Sequence, residues 1–302
     1  MVNQDTKKDT AIKILSEELN IFPNVVKRFT NGYCYSVYYV ETEREQFVLR
    51  ISTSEWHYRG SLKWLSLLGG IGVSVPKILK HGHYDEVFYA LITFINGKDL
   101  GDIYHTLNDM QKREIAMELA AIQKKVAVLP IESTDMYICP PTDIGRKIAY
   151  CRERIEQNKV FDADVCDKVA EIFNAHNDYF DGIQPVAFLD DISTKNVLVY
   201  NGKLSGIVDV DEMGYGDPLS VIGLTNMALL AMEADTKYID YWLDAINANE
   251  AQQKVVILYT LLYCIDFMSE RGMRFDNDNV VSVNQKEVEL FISIYNKLIM
   301  AV

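Results

Sequence analysis

Acidic and amide side chains recur at short intervals in one stretch past the middle of the chain. Asp191 and Asn196 lie five residues apart, and Asp209 follows thirteen residues after Asn196, at the end of an apolar run. Transfer of a phosphoryl group to a hydroxyl needs a carboxylate that orients the hydroxyl and takes its proton, and it needs further oxygen ligands for Mg²⁺. These three side chains supply such a set.

A β-hairpin is predicted between the amide and the last carboxylate. Two apolar runs, at 197–200 and 204–208, flank an Asn-Gly pair at 201–202, and this pair is the strongest short signal for a hairpin turn. Because a hairpin brings its outer ends together, we expect Asn196 and Asp209 to reach one metal ion. The alternative is an ordinary acidic loop and hairpin, since Asp and Asn are common in turns.

Three short motifs in this stretch resemble a known family. They are Asp-Ile-Ser-Thr-Lys-Asn at 191–196, Ile-Val-Asp at 207–209 and Gly-Asp-Pro at 216–218. Together they resemble the catalytic core of the aminoglycoside phosphotransferase family, which is similar to choline kinases and, more distantly, to protein kinases. The resemblance implies an α+β, bilobal protein-kinase-like fold. A small N-terminal lobe at 1–95 would hold a five-stranded antiparallel sheet and bind nucleotide, and a mainly helical C-terminal lobe at 96–302 would carry the catalytic loop and the acceptor site.

Residue roles follow from the same resemblance. Asp191 is expected to be the catalytic base, and Asn196 and Asp209 are expected to bind Mg²⁺. The chain departs from the family at 189–190, where Leu-Asp replaces His-Gly, and at 221–223, where Val-Ile-Gly replaces Asp-Leu-Ala. The first departure removes a scaffold hydrogen bond but leaves the base. The Asp of Gly-Asp-Pro is expected to cap a helix.

The resemblance also implies which residues of the N-terminal lobe bind the nucleotide. Gly32 lies in a turn where a kinase covers the ATP phosphates, and Ser36 is expected to add a hydroxyl contact. Arg50 stands on the strand whose basic residue grips the α- and β-phosphates, and a solvent-facing Arg is the alternative. For the helical carboxylate that pairs with this basic residue in kinases, the best candidate is Glu55, because Ser61 stands at the usual acidic position.

A segment at the end of the last predicted strand resembles the hinge between the lobes. Thr93, Phe94 and Ile95 are the candidates for reading the adenine edge with backbone groups and for enclosing the ring with apolar side chains. The implied cofactors are therefore ATP, or GTP, together with Mg²⁺.

Apolar periodicity predicts the elements that must position these residues. Strands are predicted at 25–30, 35–40, 46–51, 73–80 and 86–94. Helices are predicted at 10–19, 55–68, 107–128, 143–158, 163–180 and 218–232, followed by three more up to Val302. The most apolar segment, 255–268, contains Asp266 and is too short for a bilayer, so a buried helix is predicted there.

Charge and composition narrow the range of partners. The net charge of −13 over 302 residues argues against nucleic acid, because each phosphate contact needs Lys or Arg. It favours a cationic small molecule as the hydroxyl-bearing acceptor, although solubility also accounts for such a charge. Acidic residues of the predicted helical lobe are candidate contacts for that cation: Asp190, Glu212, Glu233, Asp235, Glu270, Asp276 and Asp278. The alternative is that these residues only form a solvated helix face.

Cysteine usage and hydropathy bear on the compartment. The five cysteines show no Cys-x-x-Cys or Cys/His spacing, so neither a disulfide framework nor a zinc site is expected. The N-terminus lacks a signal-peptide pattern, and no apolar run reaches the ~18 residues that suggest a membrane span. A soluble, cytoplasmic protein without membrane contact is expected.

Three functions are compatible with these residues. The leading one is an ATP- and Mg²⁺-dependent phosphotransferase that moves the γ-phosphate to a hydroxyl of a small molecule, with an aminoglycoside antibiotic, and hence antibiotic resistance, as one candidate. The second is a protein Ser/Thr kinase, but no Ala-Pro-Glu segment follows Asp209. The third is a catalytically impaired nucleotide-binding kinase homologue, which the Leu-Asp pair at 189–190 and Arg50 favour.

Overall fold

The computed structural model describes residues 4–29, 36–129, 137–138, 144–211, 213–273, 281 and 283–302. These residues divide into two compact units. The first comprises the described residues of Met1–Gly97, Leu198–Tyr200 and Ser205–Glu212, and the second comprises those of Lys98–Val197, Asn201–Leu204 and Met213–Val302.

The first unit is built on a five-stranded antiparallel sheet, as predicted. Its strands are β1 (Val25–Arg28), β2 (Ser36–Glu41), β3 (Gln46–Ser52), β4 (Ile78–Tyr84) and β5 (Val87–Thr93), in the order β1-β2-β3-β5-β4. Its helices are α1 (Gln4–Lys13), which continues as a π-helical turn at Ile14–Glu18, and α2 (Glu55–Gly70). Ile14, Leu15, Tyr38 and Leu49 are fully buried together, so the N-terminal helix and the sheet share one apolar core.

The fourth strand lies later in the chain than predicted. We expected a strand at 73–80, whereas β4 runs from Ile78 to Tyr84. Val73 and Val75 are buried, so the apolar alternation there reports burial of an irregular segment and not strand pairing. Pro76 follows directly, and proline has no N–H to donate to a ladder.

The second unit is mainly helical. Its helices are α3 (Leu100–Ile103), α4 (Asp109–Ala127), α5 (Ile144–Asn158), α6 (Asp164–Ala175), α7 (Asn177–Asp181), α8 (Leu219–Ala231), α9 (Lys237–Ile246), α10 (Glu250–Glu270) and α11 (Gln285–Ala301), with a 3₁₀ turn at Tyr104–Thr106. The predicted helix at 163–180 is wrong as a single helix, because α6 ends at Ala175 and α7 begins after His176. Capping boxes begin α4 at Asn108 and α10 at Asn249, and each satisfies two backbone donors at a helix start.

Short strands also belong to this unit. Lys98–Asp99 forms β6, and Tyr137–Ile138 (β7), Val186–Phe188 (β8) and Gly214–Gly216 (β11) form a three-stranded sheet in the order β7-β11-β8.

On α10, Asp266 accepts hydrogen bonds from Lys147 (2.8 Å) and Arg154 (2.5 Å) of α5. Burial alone would raise the pKa of Asp266, but these two cations more than offset that effect and lower it.

The predicted hairpin is present. Its strands are β9 (Val197–Tyr200) and β10 (Lys203–Ile207), which lie side by side. Asn201 and Gly202 in the turn both have positive φ, 51° and 74°, as a type I′ turn requires. The connection therefore has the twist that suits the flanking strands.

The predicted buried helix at 255–268 is confirmed as part of α10, whose apolar face is enclosed by the other helices of this unit. Among the described residues, no helix combines the length and the apolar character that crossing a membrane would demand.

Candidate active site

The loop that carries Asp191 is anchored to α4 just before that residue. After β8, Leu189 donates its backbone N–H to the Gln123 side chain (3.0 Å) and accepts a hydrogen bond from the same amide at its C=O (2.8 Å). Both residues are buried. Since buried backbone groups need partners, Gln123 fixes the backbone of the chain at Leu189. No local sequence signal indicates Gln123, because its partner is 66 residues away.

Asp191 and Asn196 are in direct contact. The Asn196 side-chain Nδ2 donates to the Asp191 carboxylate Oδ2 and to its backbone C=O, both at 2.9 Å. Both of these oxygens are acceptors, so the amide must turn its NH₂ group toward Asp191 and its oxygen elsewhere. Asn196 also has a positive φ of 66°, a conformation that Asn adopts more readily than most residues.

A further carboxylate holds the backbone of this loop. Asp99, the last residue of β6, accepts a hydrogen bond from the Asn196 N–H at 2.9 Å, and Gly101 donates its N–H to the C=O of Thr194 at 2.8 Å. A Cβ at Gly101 would lie 3.2 Å from Thr194, so the glycine permits this close approach. The segment 99–101 thus fixes Asn196 from a position that no local sequence signal indicated.

The Asp191 carboxyl has an unusual proton affinity. The residue is solvent-exposed, yet the protein atoms packed around its carboxyl partly desolvate it, and the negative charge of Asp190 adds to this effect. Together they raise the pKa of Asp191 to about 6, against the opposing influence of Lys195 and of the Asn196 hydrogen bond. A carboxylate with such a pKa is a better base near neutral pH than an ordinary Asp.

Arg50 lies in the first unit, where β3 pairs it with Val37 of β2 and Ala90 of β5. The residue is 6% exposed, so the alternative of a solvent-facing Arg is wrong. Its Nη1 donates to Asp211 Oδ1 at 2.6 Å and its Nη2 donates to Asp209 Oδ1 at 3.1 Å. The predicted metal ligand Asp209 is therefore next to the predicted phosphate-binding Arg50.

The suggested helical partner of Arg50 is wrong. Glu55 accepts two hydrogen bonds from Arg59 one turn later on α2, at 2.9 and 2.6 Å. The Arg50 guanidinium instead contacts Ser61 of α2 and Asp211, two residues past Asp209. Asp211 was not predicted, because 161 residues separate it from Arg50.

The predicted magnesium ligands carry oxygen atoms of the kind that magnesium prefers. Asp209 has a positive φ of 58° and a half-exposed carboxylate, and Asn196 has an amide oxygen; both are hard oxygen ligands. Within the described ranges, no group of three or more His, Cys, Asp or Glu side chains is placed to hold a metal. Magnesium commonly takes one or two protein ligands and completes its shell with phosphate and water oxygens. That Asp191, Asn196 and Asp209 converge on one ion stays a prediction.

The remaining nucleotide-binding candidates belong to the first unit. Gly32 lies outside the described residues, and Ser36 begins β2 opposite Ile51. Thr93 donates its N–H to the C=O of Lys77 and accepts the Lys77 N–H at its hydroxyl, both at 2.9 Å. Its N–H is therefore already engaged within the first unit.

Phe94 and Ile95 follow β5. The Phe94 ring packs edge-on against Tyr39 with ring centres 5.2 Å apart. The Ile95 side chain lies against Gly206, where an added Cβ would come within 2.7 Å of it. As adenine-binding residues, Thr93, Phe94 and Ile95 stay predictions.

Asp217 of the Gly-Asp-Pro motif has the structural role that was predicted. Its carboxylate accepts the Leu219 N–H at the start of α8 (3.0 Å) and hydrogen bonds from the hydroxyls of Tyr259 (3.0 Å) and Tyr179 (3.3 Å). Burial raises its pKa, and these three donors oppose that rise. The motif thus joins the start of α8 to α7 and α10.

Similar solved structures share the fold. Aminoglycoside phosphotransferase APH(2'')-Ib with bound ADP is 15% identical with a TM-score of 0.65, over 98% of this chain and 97% of that chain. The gentamicin complex of APH(2'')-IIa is 16% identical with a TM-score of 0.66, over 99% and 97%. A thermostable mutant of APH(4)-Ia with ADP and hygromycin B is 14% identical with a TM-score of 0.66, over 97% and 98%. The predicted kinase-like fold is therefore confirmed.

Sequence comparison identifies the family. No curated protein matches this chain. The phosphotransferase enzyme family, APH, matches residues 25–252, which is more than half of the chain and includes the loop at 191–196 and the Gly-Asp-Pro motif. The protein therefore belongs to the phosphotransferase enzyme family.

Proposed function

We propose that this phosphotransferase moves the γ-phosphoryl group of ATP, or GTP, to a hydroxyl of a small molecule in the presence of Mg²⁺. The observation that carries the proposal is the hydrogen bond from Asn196 Nδ2 to the Asp191 carboxylate, which has a raised pKa; the two side chains lie in one loop. Use of a nucleoside triphosphate implies the cytoplasm as the compartment.

Asp191 acts on the acceptor. Its carboxylate orients the hydroxyl and takes its proton as the new bond to phosphorus forms. Asn196 binds one carboxylate oxygen, Oδ2, and thereby fixes the orientation of the other. Gln123 and Asp99 hold the backbone on either side of the pair, so the base is positioned before the acceptor arrives.

Arg50, Asn196 and Asp209 act on the nucleotide. The guanidinium of Arg50 would contact the α- and β-phosphates, and the amide oxygen of Asn196 and the carboxylate of Asp209 would hold the metal. When bound, Mg²⁺ neutralises charge on the phosphate oxygens. Gly32 and Ser36 cover the phosphates, and Thr93, Phe94 and Ile95 accommodate the base.

The acceptor is a cationic small molecule, and an aminoglycoside is one candidate. The net charge of −13 supports a cationic acceptor. Similar solved structures contain streptomycin, gentamicin or hygromycin B, which supports an aminoglycoside. Among the acidic candidates, Asp235 is paired with Lys112 at 2.7 Å, which makes it a poor contact for a ligand. Burial and the nearby Asp266 raise the pKa of Glu270, so a cation beside it would relieve an unfavourable charge. Glu212, Asp276 and Asp278 lie outside the described residues.

Transfer from radiolabelled ATP to a panel of amine-bearing alcohols tests the proposal. The wild-type protein should label at least one acceptor in a Mg²⁺-dependent manner, and Asp191→Asn should abolish labelling while Mg·ADP affinity stays within a few fold, because the base contacts the acceptor. Asp85→Asn, an exposed turn residue, is the control for loss of one charge. A wild-type protein that binds Mg·ADP but labels none of the acceptors would favour the impaired, nucleotide-binding homologue instead.

A further inference from the structure

Arg50 is held by a carboxylate on both of its terminal nitrogens. Nη1 donates to Asp211 Oδ1 at 2.6 Å, and Nη2 donates to the other oxygen of the same carboxylate. Two parallel bonds between a guanidinium and one carboxylate fix the plane of the guanidinium as well as its position. Asp211 is only 14% exposed, so solvent competes little for this pair.

Helix α2 contacts Arg50 through a hydroxyl, and its one carboxylate is engaged elsewhere on the helix. Ser61 accepts a hydrogen bond from Nη1 at 3.1 Å and is buried, and Glu55 is bound to Arg59. The residue before Ser61 is Gly60, and a Cβ there would lie 2.6 Å from the backbone oxygen of Asp211. The chain at Asp211 therefore approaches α2 at backbone distance, and from there its carboxylate reaches Arg50.

The pairing also affects Asp209. Its carboxylate accepts one bond from Nη2 at 3.1 Å and is 53% exposed. Because Asp211 binds both terminal nitrogens, the bond from Nη2 to Asp209 is longer than the bond from Nη1 to Asp211, and about half of the Asp209 side chain stays exposed. Asp209 is thus a second carboxylate within reach of the Arg50 guanidinium.

We propose that Asp211 is the positioning residue for Arg50, in place of a carboxylate on α2, and that it also keeps Arg50 from engaging Asp209 fully. The inference rests on the proposed function, in which Arg50 binds nucleotide phosphates and Asp209 binds the metal. Asp211 acts through Arg50, to which it is bound by both carboxylate oxygens.

Titration calorimetry with Mg·ADP tests this assignment. Asp211→Asn should weaken the affinity by about tenfold or more, the scale of one lost charge-assisted hydrogen bond, and should raise the Mg²⁺ concentration needed for half-maximal binding. Asp85→Asn should leave both unchanged. Exchange of the two side chains, Ser61→Asp with Asp211→Ser, conserves volume and puts a carboxylate back beside Nη1, so it should recover most of the affinity that Asp211→Ser alone loses.

The outcomes separate this inference from the proposed function. A wild-type protein that does not bind Mg·ADP refutes nucleotide use, and the inference falls with it. A wild-type protein that binds, together with Asp211→Asn binding within twofold of it, refutes the positioning role alone. Thermal melting distinguishes loss of fold from loss of affinity, and if the single variants fail to fold, the exchanged variant decides: wild-type affinity supports the role and tenfold weaker affinity in a folded protein overturns it.

Discussion

Gly60→Ala is a sensitive probe of how closely α2 approaches Asp211. Ala is the better helix former by about 1 kcal/mol in a helix interior, so helix propensity alone predicts a gain in stability. The added Cβ, however, would lie 2.6 Å from the Asp211 backbone oxygen. Real Cβ atoms essentially never approach another heavy atom more closely than 3.0 Å. Two backbone segments must therefore move apart, and neither is a flexible side chain.

The expected magnitude follows from these opposing terms. Overpacking in a well-packed region costs ~1–3 kcal/mol, which offsets or exceeds the gain in propensity. The same displacement would lengthen the 2.6 Å bond between Asp211 and Arg50. We therefore expect Gly60→Ala to be destabilised by up to ~2 kcal/mol and to bind Mg·ADP several-fold more weakly.

Gly70→Ala provides the matched control. Gly70 ends the same helix and a Cβ there has no neighbour within 4 Å, so the substitution should be neutral or stabilising by a few tenths of a kcal/mol. Urea unfolding and Mg·ADP titration of both variants measure the contrast. If Gly60→Ala were as stable as Gly70→Ala with wild-type affinity, the close approach of α2 to Asp211 would be refuted.

Three further perturbations have defined outcomes. Asp209→Ala should weaken Mg²⁺-dependent nucleotide binding, and a variant that bound Mg·ADP normally in calorimetry would contradict the metal assignment. Gln123→Met should lower the transfer rate and destabilise the protein by ~1–3 kcal/mol, because it leaves the buried N–H and C=O of Leu189 without partners; unchanged kinetics would speak against the anchor. Asp266→Asn should destabilise the protein by ~3 kcal/mol at pH 7, since two cations of α5 lose their carboxylate. Because the folded pKa of Asp266 is depressed, its contribution is present above its unfolded pKa of about 3.9 and is lost as pH falls through the lower folded value, so urea unfolding should show wild type and variant converging below about pH 4.

Local features of the fold were predictable from the sequence. The Asn-Gly turn needs positive φ at two successive residues, and these two residue types adopt it, so the hairpin could be read directly. Strands β2, β3 and β5 could be located because their sequences are rich in β-branched and aromatic residues. The break at His176 and the late start of β4 could not, because apolar periodicity reports which residues are buried and does not distinguish a broken helix or an irregular segment from a regular element.

The site divides in the same way. Asp191, Asn196, Asp209 and Arg50 were candidates from motif spacing along the chain alone, and their roles stay predictions. Their partners lie 97 residues away for Asn196 and Asp99, and 161 residues away for Arg50 and Asp211, and no local pattern relates such positions. The sequence alone indicated the candidate side chains for the chemistry, whereas the tertiary structure alone decided what holds Arg50 and Asn196, because those contacts form only when distant segments pack together.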